Sequence, residues 1–159
     1  MSATVEKRVV PPGSDDYVDQ AWELKERIRE EEGFLQQRHG FFSDAYRRST
    51  VHAFVDADDQ LVGFAAARRD GYILFLAVAE EYRGEGFGER LVAEVADDSR
   101  RVTCHARTTN ENAIAFYEHL GFTVERRIEN YYEDGGAAFY LRLGDESRLR
   151  DRLSEIFRR

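Results

Sequence analysis

This 159-residue sequence has few cysteines and lysines, no net positive charge and no long apolar run. Cys104 is the only cysteine, so neither an internal disulfide nor a zinc site made of several cysteines can form. The net charge of −8 argues against nucleic acid as the main partner. Apolar runs stay well short of the ~20 residues that cross a bilayer, and charged residues interrupt the first ten positions, where a signal peptide would be apolar. We therefore expect a cytoplasmic protein with no membrane or nucleic-acid partner.

Lysine occurs only at Lys7 and Lys25, although the chain has 23 basic and 31 acidic residues. A surface rich in acids and arginine but poor in lysine is typical of a high-salt cytosol, and a GC-rich genome would also favour arginine over lysine. We expect a halophilic protein on this basis. The expectation concerns the solvent and not the chemistry.

The length fits one domain, and 42% hydrophobic residues indicate a packed core. Apolar alternation and turn residues predict the strands Val5–Val10, Thr50–Val55, Leu61–Ala67, Tyr72–Val78, Arg101–Ala106, Phe122–Tyr132 and Ala137–Leu143. Helical spacing predicts helices from a Ser14 cap to Glu32, around Phe42, from the following glycine turn to Asp98, and over Asn110–Leu120. The pattern predicts a mixed α/β sheet with helices on both faces.

A last helix is predicted over residues 145–159, as an extension of the domain formed by residues 1–144. Its apolar stripe requires a partner surface, either on the same domain or on a second subunit. A homodimer is therefore one alternative, and a frayed polar tail is the other.

The most informative segment is the glycine-rich turn from Val78 to Gly88, which joins a buried strand to a helix. Glycines let the backbone approach a ligand closely, and N–H groups at a helix N-terminus bind phosphate. A P-loop is excluded because its lysine and hydroxyl residue are missing. A dinucleotide fingerprint is excluded because Glu89 stands where its third glycine or alanine would be. The remaining alternatives are the Arg-x-x-Gly-x-Gly pattern of Arg83, Gly86 and Gly88, and a turn without a ligand.

That pattern resembles the coenzyme A motif of the GNAT acetyltransferase superfamily. Asn110 to Phe122 resembles the superfamily's other hallmark, in which an asparagine begins a helix and a tyrosine near its end faces the coenzyme sulfur. Asn130-Tyr131-Tyr132, followed by Asp134-Gly135, is similar to the protein Nα-acetyltransferase branch, including the RimI type. The resemblance covers roughly Leu61 to Leu143. It implies a largely antiparallel sheet of about seven strands and acetyl-CoA as cosubstrate, without a metal.

Within that branch, Tyr72-Ile73 leading to Tyr82-Arg83, and His105 ahead of Asn110, resemble the NatE-type catalytic subunit. The resemblance implies catalytic roles for Tyr72 and His105, whereas RimI-type enzymes carry a glutamate where His105 stands. The N-terminal loops that grip substrate in the family have no clear match, which leaves the acceptor open. The implied coenzyme contacts are Leu76, Ala77, Val78, Arg83, Gly84, Glu85, Gly86, Phe87, Gly88, Glu89, Asn110, Asn112 and Tyr117.

Acetyl transfer requires a neutral amine, and amines with pKa values of about 8 to 10.4 are mostly protonated at neutral pH. His105 can act as the base, since unperturbed histidine titrates near pH 6.5. Tyr117 is the implied acid for the departing thiolate, and Cys104 should face away from His105 on the same strand. Each of His105, Tyr117 and Tyr72 could instead be a core residue.

The sequence thus predicts transfer of acetyl from acetyl-CoA to a primary amine, with a protein N-terminal α-amine as the first choice. A small-molecule amine acetyltransferase and a catalytically silent coenzyme A-binding regulatory protein are the alternatives.

Overall fold

The computed structural model describes residues 4–34 and 36–144. The strands of this part of the chain are β1 Glu6–Val10, β2 Thr50–Val55, β3 Leu61–Ala67, β4 Ile73–Val78, β5 Val102–Arg107, β6 Thr123–Ile128 and β7 Ala138–Leu143. Its α-helices are α1 Val18–Glu32, α2 His39–Arg48, α3 Phe87–Asp98 and α4 Glu111–Leu120, and a short 3-10 helix covers Glu80–Tyr82. None of the helices in these residues is both long and apolar enough to span a membrane. The helix predicted over 145–159 lies outside the described residues.

The described residues form two compact units. Unit 1 contains residues 4–34, 36–69 and 73–95, and unit 2 contains residues 70–72 and 96–144. Unit 1 has an antiparallel sheet in the order β1-β2-β3-β4, and unit 2 has an antiparallel sheet in the order β5-β7-β6.

Helices cover both faces of the sheet in unit 1. On one face, the ring of Phe42 in α2 lies 6.2 Å from Phe64 and 4.7 Å from Phe75. On the other face, Phe54 contacts Phe87 of α3 with ring centroids 5.5 Å apart. Alternation along the strands sends successive side chains to opposite faces, so both faces are apolar and both need a helix.

In unit 2, β7 lies between its two neighbours and β6 is the outer strand, with five of its six residues exposed. Helix α4 precedes β6. Its N-cap is Asn110, whose side-chain oxygen accepts a hydrogen bond from the Ala113 N–H at 3.2 Å. It ends at Gly121 in the left-handed conformation that glycine adopts without strain.

The predicted fold class is confirmed: the described residues contain seven strands in the predicted order, and these divide into two sheets. The apolar run Tyr72–Val78 predicts a central strand covered on both faces, and this expectation is wrong. β4 lies at the edge of its sheet, and Tyr72 is not part of it; Tyr72 forms one parallel bridge with Thr103 in unit 2.

The predicted Ser14 helix cap is also wrong. Helix α1 begins at Val18, after Tyr17 in a left-handed conformation (φ 65°), and the Ser14 hydroxyl accepts from the Asp16 N–H at 3.2 Å. The Tyr17 hydroxyl donates to Asp59 at 2.6 Å, which fixes the chain at this point. This contact joins the start of the helix to a residue 42 positions away.

Candidate active site

Tyr72 reaches His105 because the segment before β4 lies tightly against the start of β5. The Thr103 N–H donates to the Gly71 carbonyl at 3.0 Å. A side chain at Gly71, whose φ is 85°, would collide with the Arg101 carbonyl oxygen, so only glycine allows this approach. The Tyr72 hydroxyl then lies 2.7 Å from Nδ1 of His105.

Aromatic rings surround the half-buried His105 side chain. Tyr131 stacks on the imidazole with centroids 4.4 Å apart and planes 16° apart, and Tyr140 lies 4.9 Å away. Burial and the nearby Tyr131 hydroxyl raise the pKa of Tyr72 far above its usual range. The Tyr72 hydroxyl therefore keeps its proton at neutral pH and remains an uncharged hydrogen-bond partner for the imidazole.

Tyr132, which follows Tyr131, is also neutral because it is half-buried. Burial raises the pKa of Tyr132 to about 12, and the Arg107 guanidinium lies 4.0 Å from the centre of its ring. Tyr72, Tyr131 and Tyr140 thus form a cluster around the imidazole of His105. An imidazole is a side chain that can serve as a general acid or a general base.

Cys104 alternates with His105 along β5 and is 2% exposed, as predicted for a residue that faces away. Burial raises the pKa of its thiol to about 12. The thiolate fraction at neutral pH is then on the order of 10⁻⁵, since each pH unit below the pKa lowers it tenfold. Cys104 is unsuited to act as a nucleophile.

Tyr117 is buried, with Phe116 and Phe122 in edge contact with its ring at 5.1 and 5.0 Å. Burial raises the pKa of its hydroxyl well above the usual range, and the nearby Cys104 thiol raises it further. The structure thus shows Tyr117 as a packed core residue, and its chemical role stays a prediction.

The predicted coenzyme residues of unit 1 fall on β4 and on the turn that follows it. Gly84 and Gly86 have φ of 81° and 86°, and a Cβ at either position would enter open space. Helix α3 begins directly after the turn, at Phe87. The first N–H groups of a helix have no partner within it, so the turn can hold an anionic group such as a phosphate.

Three of the predicted contacts are engaged elsewhere in the structure. The Arg83 guanidinium donates to the Val78 carbonyl at 3.3 Å and pairs with Glu32 at 3.4 Å. The Phe87 side chain is 7% exposed and packs in the core, which leaves its backbone as the only group for a ligand. The Asn110 oxygen caps α4, while Asn112 is exposed in the first turn of the same helix.

The predicted coenzyme contacts on β4 are Leu76, Ala77 and Val78, and this strand can supply backbone N–H groups. Ala79 N–H donates to Val62 of β3 at 2.8 Å. Because N–H groups alternate sides along a strand, those of Val78 and Leu76 point away from β3, whereas that of Ala77 points toward it. The side chain of Ala77 is buried in the core.

Sequence reasoning missed the parts played by Tyr131, Tyr140 and Arg107. The Asn130-Tyr131-Tyr132 segment was noted only for its resemblance, and its contact with His105 depends on a loop conformation that periodicity does not reveal. No group of three or more His, Cys, Asp or Glu side chains arranged to bind a metal occurs within residues 4–34 and 36–144.

The acetyltransferase (GNAT) family model matches residues 15–122, more than half of the chain. The chain therefore belongs to this family. N-alpha-acetyltransferase 30 of Schizosaccharomyces pombe is 33% identical over 101 residues, which cover 55% of this chain and 67% of the relative. The human protein of the same name is 40% identical over 80 residues, covering 47% of this chain and 22% of the relative.

Among solved structures, Ard1 from Thermoplasma volcanium superposes with a TM-score of 0.69 at 23% identity, covering 87% of this chain and 96% of that one. This likeness shows a shared fold. The match to the human relative spans less than a quarter of that protein's length.

Proposed function

We propose that the protein transfers the acetyl group of acetyl-CoA to a primary amine, and that the acceptor is the α-amine of a protein N-terminus. The observation that carries the proposal is the 2.7 Å contact between the Tyr72 hydroxyl and Nδ1 of His105. This contact fixes a titratable ring beside a hydroxyl that stays neutral. The names of the relatives, N-alpha-acetyltransferase 30 in two organisms, support the acceptor class.

The turn of unit 1 fits the pyrophosphate of acetyl-CoA. A Cβ at Gly84 or Gly86 would meet no atom within 4 Å, so the backbone of the turn is open to a ligand. The N–H groups at the start of α3, including those of Gly88 and Glu89, carry the positive end of the helix dipole. The N–H of Val78 directed away from β3 suits a carbonyl oxygen that gains negative charge during reaction.

His105 is the proposed base. The ring must carry its proton on Nδ1, donating it to the Tyr72 oxygen, so that Nε2 presents the lone pair that takes the proton from the amine. The neutral hydroxyl of Tyr72 permits this arrangement, because it can accept through its oxygen. In this arrangement Tyr72 holds His105 as the tautomer that works as a base.

Tyr117 is the proposed acid. Its raised pKa keeps an O–H donor available throughout the neutral range. In the overall reaction a C–N bond forms and the thioester C–S bond breaks. His105 takes the amine proton, and Tyr117 supplies the proton for the thiolate; both residues return to their starting states by exchange with solvent.

The proposal is tested with two peptides. One has a free N-terminus and no lysine; the other has the same sequence with one added lysine and a blocked N-terminus. We expect coenzyme A release with the free peptide, and tandem mass spectrometry should place the acetyl group on the α-nitrogen. The assay is run at low and at multimolar KCl, since we propose a halophilic cytoplasmic setting. Release with small amines alone would contradict the acceptor class, and binding without any release would indicate a silent coenzyme-binding protein.

Coenzyme binding should depend on the open space at Gly86. We predict that Gly86→Glu abolishes acetyl-CoA binding in calorimetry, because a charged side chain enters the region proposed for the phosphates. The positive φ also costs about 1–2 kcal/mol of stability for a residue with a Cβ, so a control must carry the same cost. Gly13→Glu is matched, since Gly13 has φ 95° and equally open surroundings. Both variants should melt several degrees lower, but an affinity in Gly86→Glu equal to that of Gly13→Glu would contradict the proposal.

Removal of the base should lower turnover much more than coenzyme affinity. We predict that His105→Ala lowers kcat by about 10²–10⁴-fold, the usual contribution of a general base, while the Kd of acetyl-CoA stays within about threefold. In the wild type, kcat/KM should rise with pH through the histidine range, because only the neutral ring accepts a proton. At pH values below about 10, ionisation of Tyr72 should not lower kcat/KM, since the pKa of Tyr72 lies above the ordinary tyrosine value.

Because the acceptor amine also titrates, the pH profile of His105→Ala is the decisive comparison. The variant should lose the histidine limb and keep the limb of the amine. Turnover within about threefold of wild type would make His105 a packed residue and not the base.

A further inference from the structure

The β6–β7 loop, residues 129–137, is closed by its own backbone. Tyr131 N–H and Tyr132 N–H donate to the Gly136 carbonyl at 3.0 and 3.1 Å, and Gly135 N–H donates to Tyr132 at 2.9 Å. Asn130 has a φ of 53°, a conformation that asparagine tolerates better than most residues. The Tyr131 side chain that leaves this loop is therefore directed by the loop as a whole.

The ladder between β5 and β7 does not reach this part of the loop. Its last pair is Arg107 with Ala138, and one further bond joins the Thr108 N–H to the Ala137 carbonyl at 3.0 Å. Residues 130–136 extend beyond that bond. Side-chain contacts must therefore set how the loop lies on β5.

Arg107 provides such contacts. It lies two residues after His105 on β5, so both side chains leave the same face of the strand. Its Nη1 atom donates to Asp134 Oδ1 at 3.0 Å, and its guanidinium lies over the Tyr132 ring at 4.0 Å. The Arg107 side chain is only 16% exposed.

Asp134 ties the same contact to the loop backbone. Its Oδ1 atom also accepts from the Gly136 N–H at 2.9 Å. The hydrogen bond from Arg107 lowers the pKa of this carboxyl, with the Gly136 N–H as the second cause. Asp134 thus stays ionised and joins the arginine to the residue that closes the loop.

We propose that Arg107 is a positioning residue for His105: by holding Asp134 and Tyr132 against β5, it keeps the Tyr131 ring stacked on the imidazole. The proposal rests on the proposed role of His105 as the base. Without the tie, Tyr131, which is 42% exposed, would leave the imidazole for solvent. The His105 ring would then lose its stacking partner, and its orientation toward the amine would become less well defined.

The first test measures the stack directly, in protein without coenzyme or acceptor. A ring 4.4 Å away and nearly parallel shifts the carbon-bound imidazole protons upfield, and Tyr131→Leu gives the value without that shift. Arg107→Gln should move the His105 proton signals most of the way to the Tyr131→Leu value. Asp134→Asn, which breaks the same pair from the other side, should move them in the same direction.

A matched control is Arg142→Gln. Arg142 pairs with Glu125 at 2.8 Å between β6 and β7, so this variant also removes an arginine–carboxylate pair from the sheet of unit 2. It does not touch the β6–β7 loop pair of Arg107 and Asp134. The His105 signals should therefore stay at their wild-type positions.

The second test is kinetic. Arg107→Gln should lower kcat by up to about 10²-fold, as misplacement of a reacting group by ~1 Å can do, with the Kd of acetyl-CoA unchanged. Arg107→Lys should restore part of the loss, because a lysine keeps the charge but not the planar fork. The double variant with Asp134→Asn should be no slower than the slower single variant, since both remove one interaction.

The two tests separate the two proposals. If the chain transferred no acetyl group, the proton shifts would still report whether Arg107 controls the stack. Wild-type imidazole shifts in both Arg107→Gln and Asp134→Asn, with a clear shift in Tyr131→Leu, would overturn the positioning role. So would moved shifts with kcat unchanged in an active enzyme.

Discussion

The hydrogen bond between Tyr72 and His105 is the contact on which the proposed chemistry depends. A single glycine makes it available, because the close approach of Gly71 to Arg101 brings Tyr72 alongside β5. Burial keeps the tyrosine neutral, so the bond persists across the pH range in which the imidazole changes charge. An ionised tyrosine would instead stabilise the charged imidazolium and leave less neutral imidazole to accept a proton.

The other tyrosines act on the same ring from different directions. Tyr131 stacks on one face, Tyr140 contacts it from β7, and Tyr132 receives the guanidinium that ties the loop down. Tyr72, Tyr131 and Tyr140 therefore surround the His105 imidazole, and such packing holds a proton acceptor rigidly.

Much of the fold follows from local pattern. The hairpin of β2 and β3 was predicted residue for residue, because an acidic turn separates two apolar runs. The stripe of Phe87, Leu91 and Val95 on α3 is buried as its helical spacing predicts. Both ends of α4 are marked by their own residues, an asparagine cap and a glycine stop.

The features that could not be predicted are those made by contacts distant in sequence. Arg83 pairs with a residue 51 positions away, so its side chain is not directed by the turn that contains it. The stack of Tyr131 on His105 depends on a left-handed Asn130 and on a cation two residues beyond the histidine. The pattern showed which residues lie near the site, whereas tertiary contacts decide which of their atoms meet.

The most direct test of the proposed role of His105 as the base is its tautomer, which ¹⁵N NMR of histidine-labelled protein measures. At a pH above the titration of the ring, the account predicts a protonated, pyrrole-type Nδ1 bonded to Tyr72 and a pyridine-type Nε2. Tyr72→Phe should move the ring toward the mixture of tautomers seen in free imidazole. A pyrrole-type Nε2 in the wild-type protein would contradict the account, because the atom proposed to take the amine proton would already carry one.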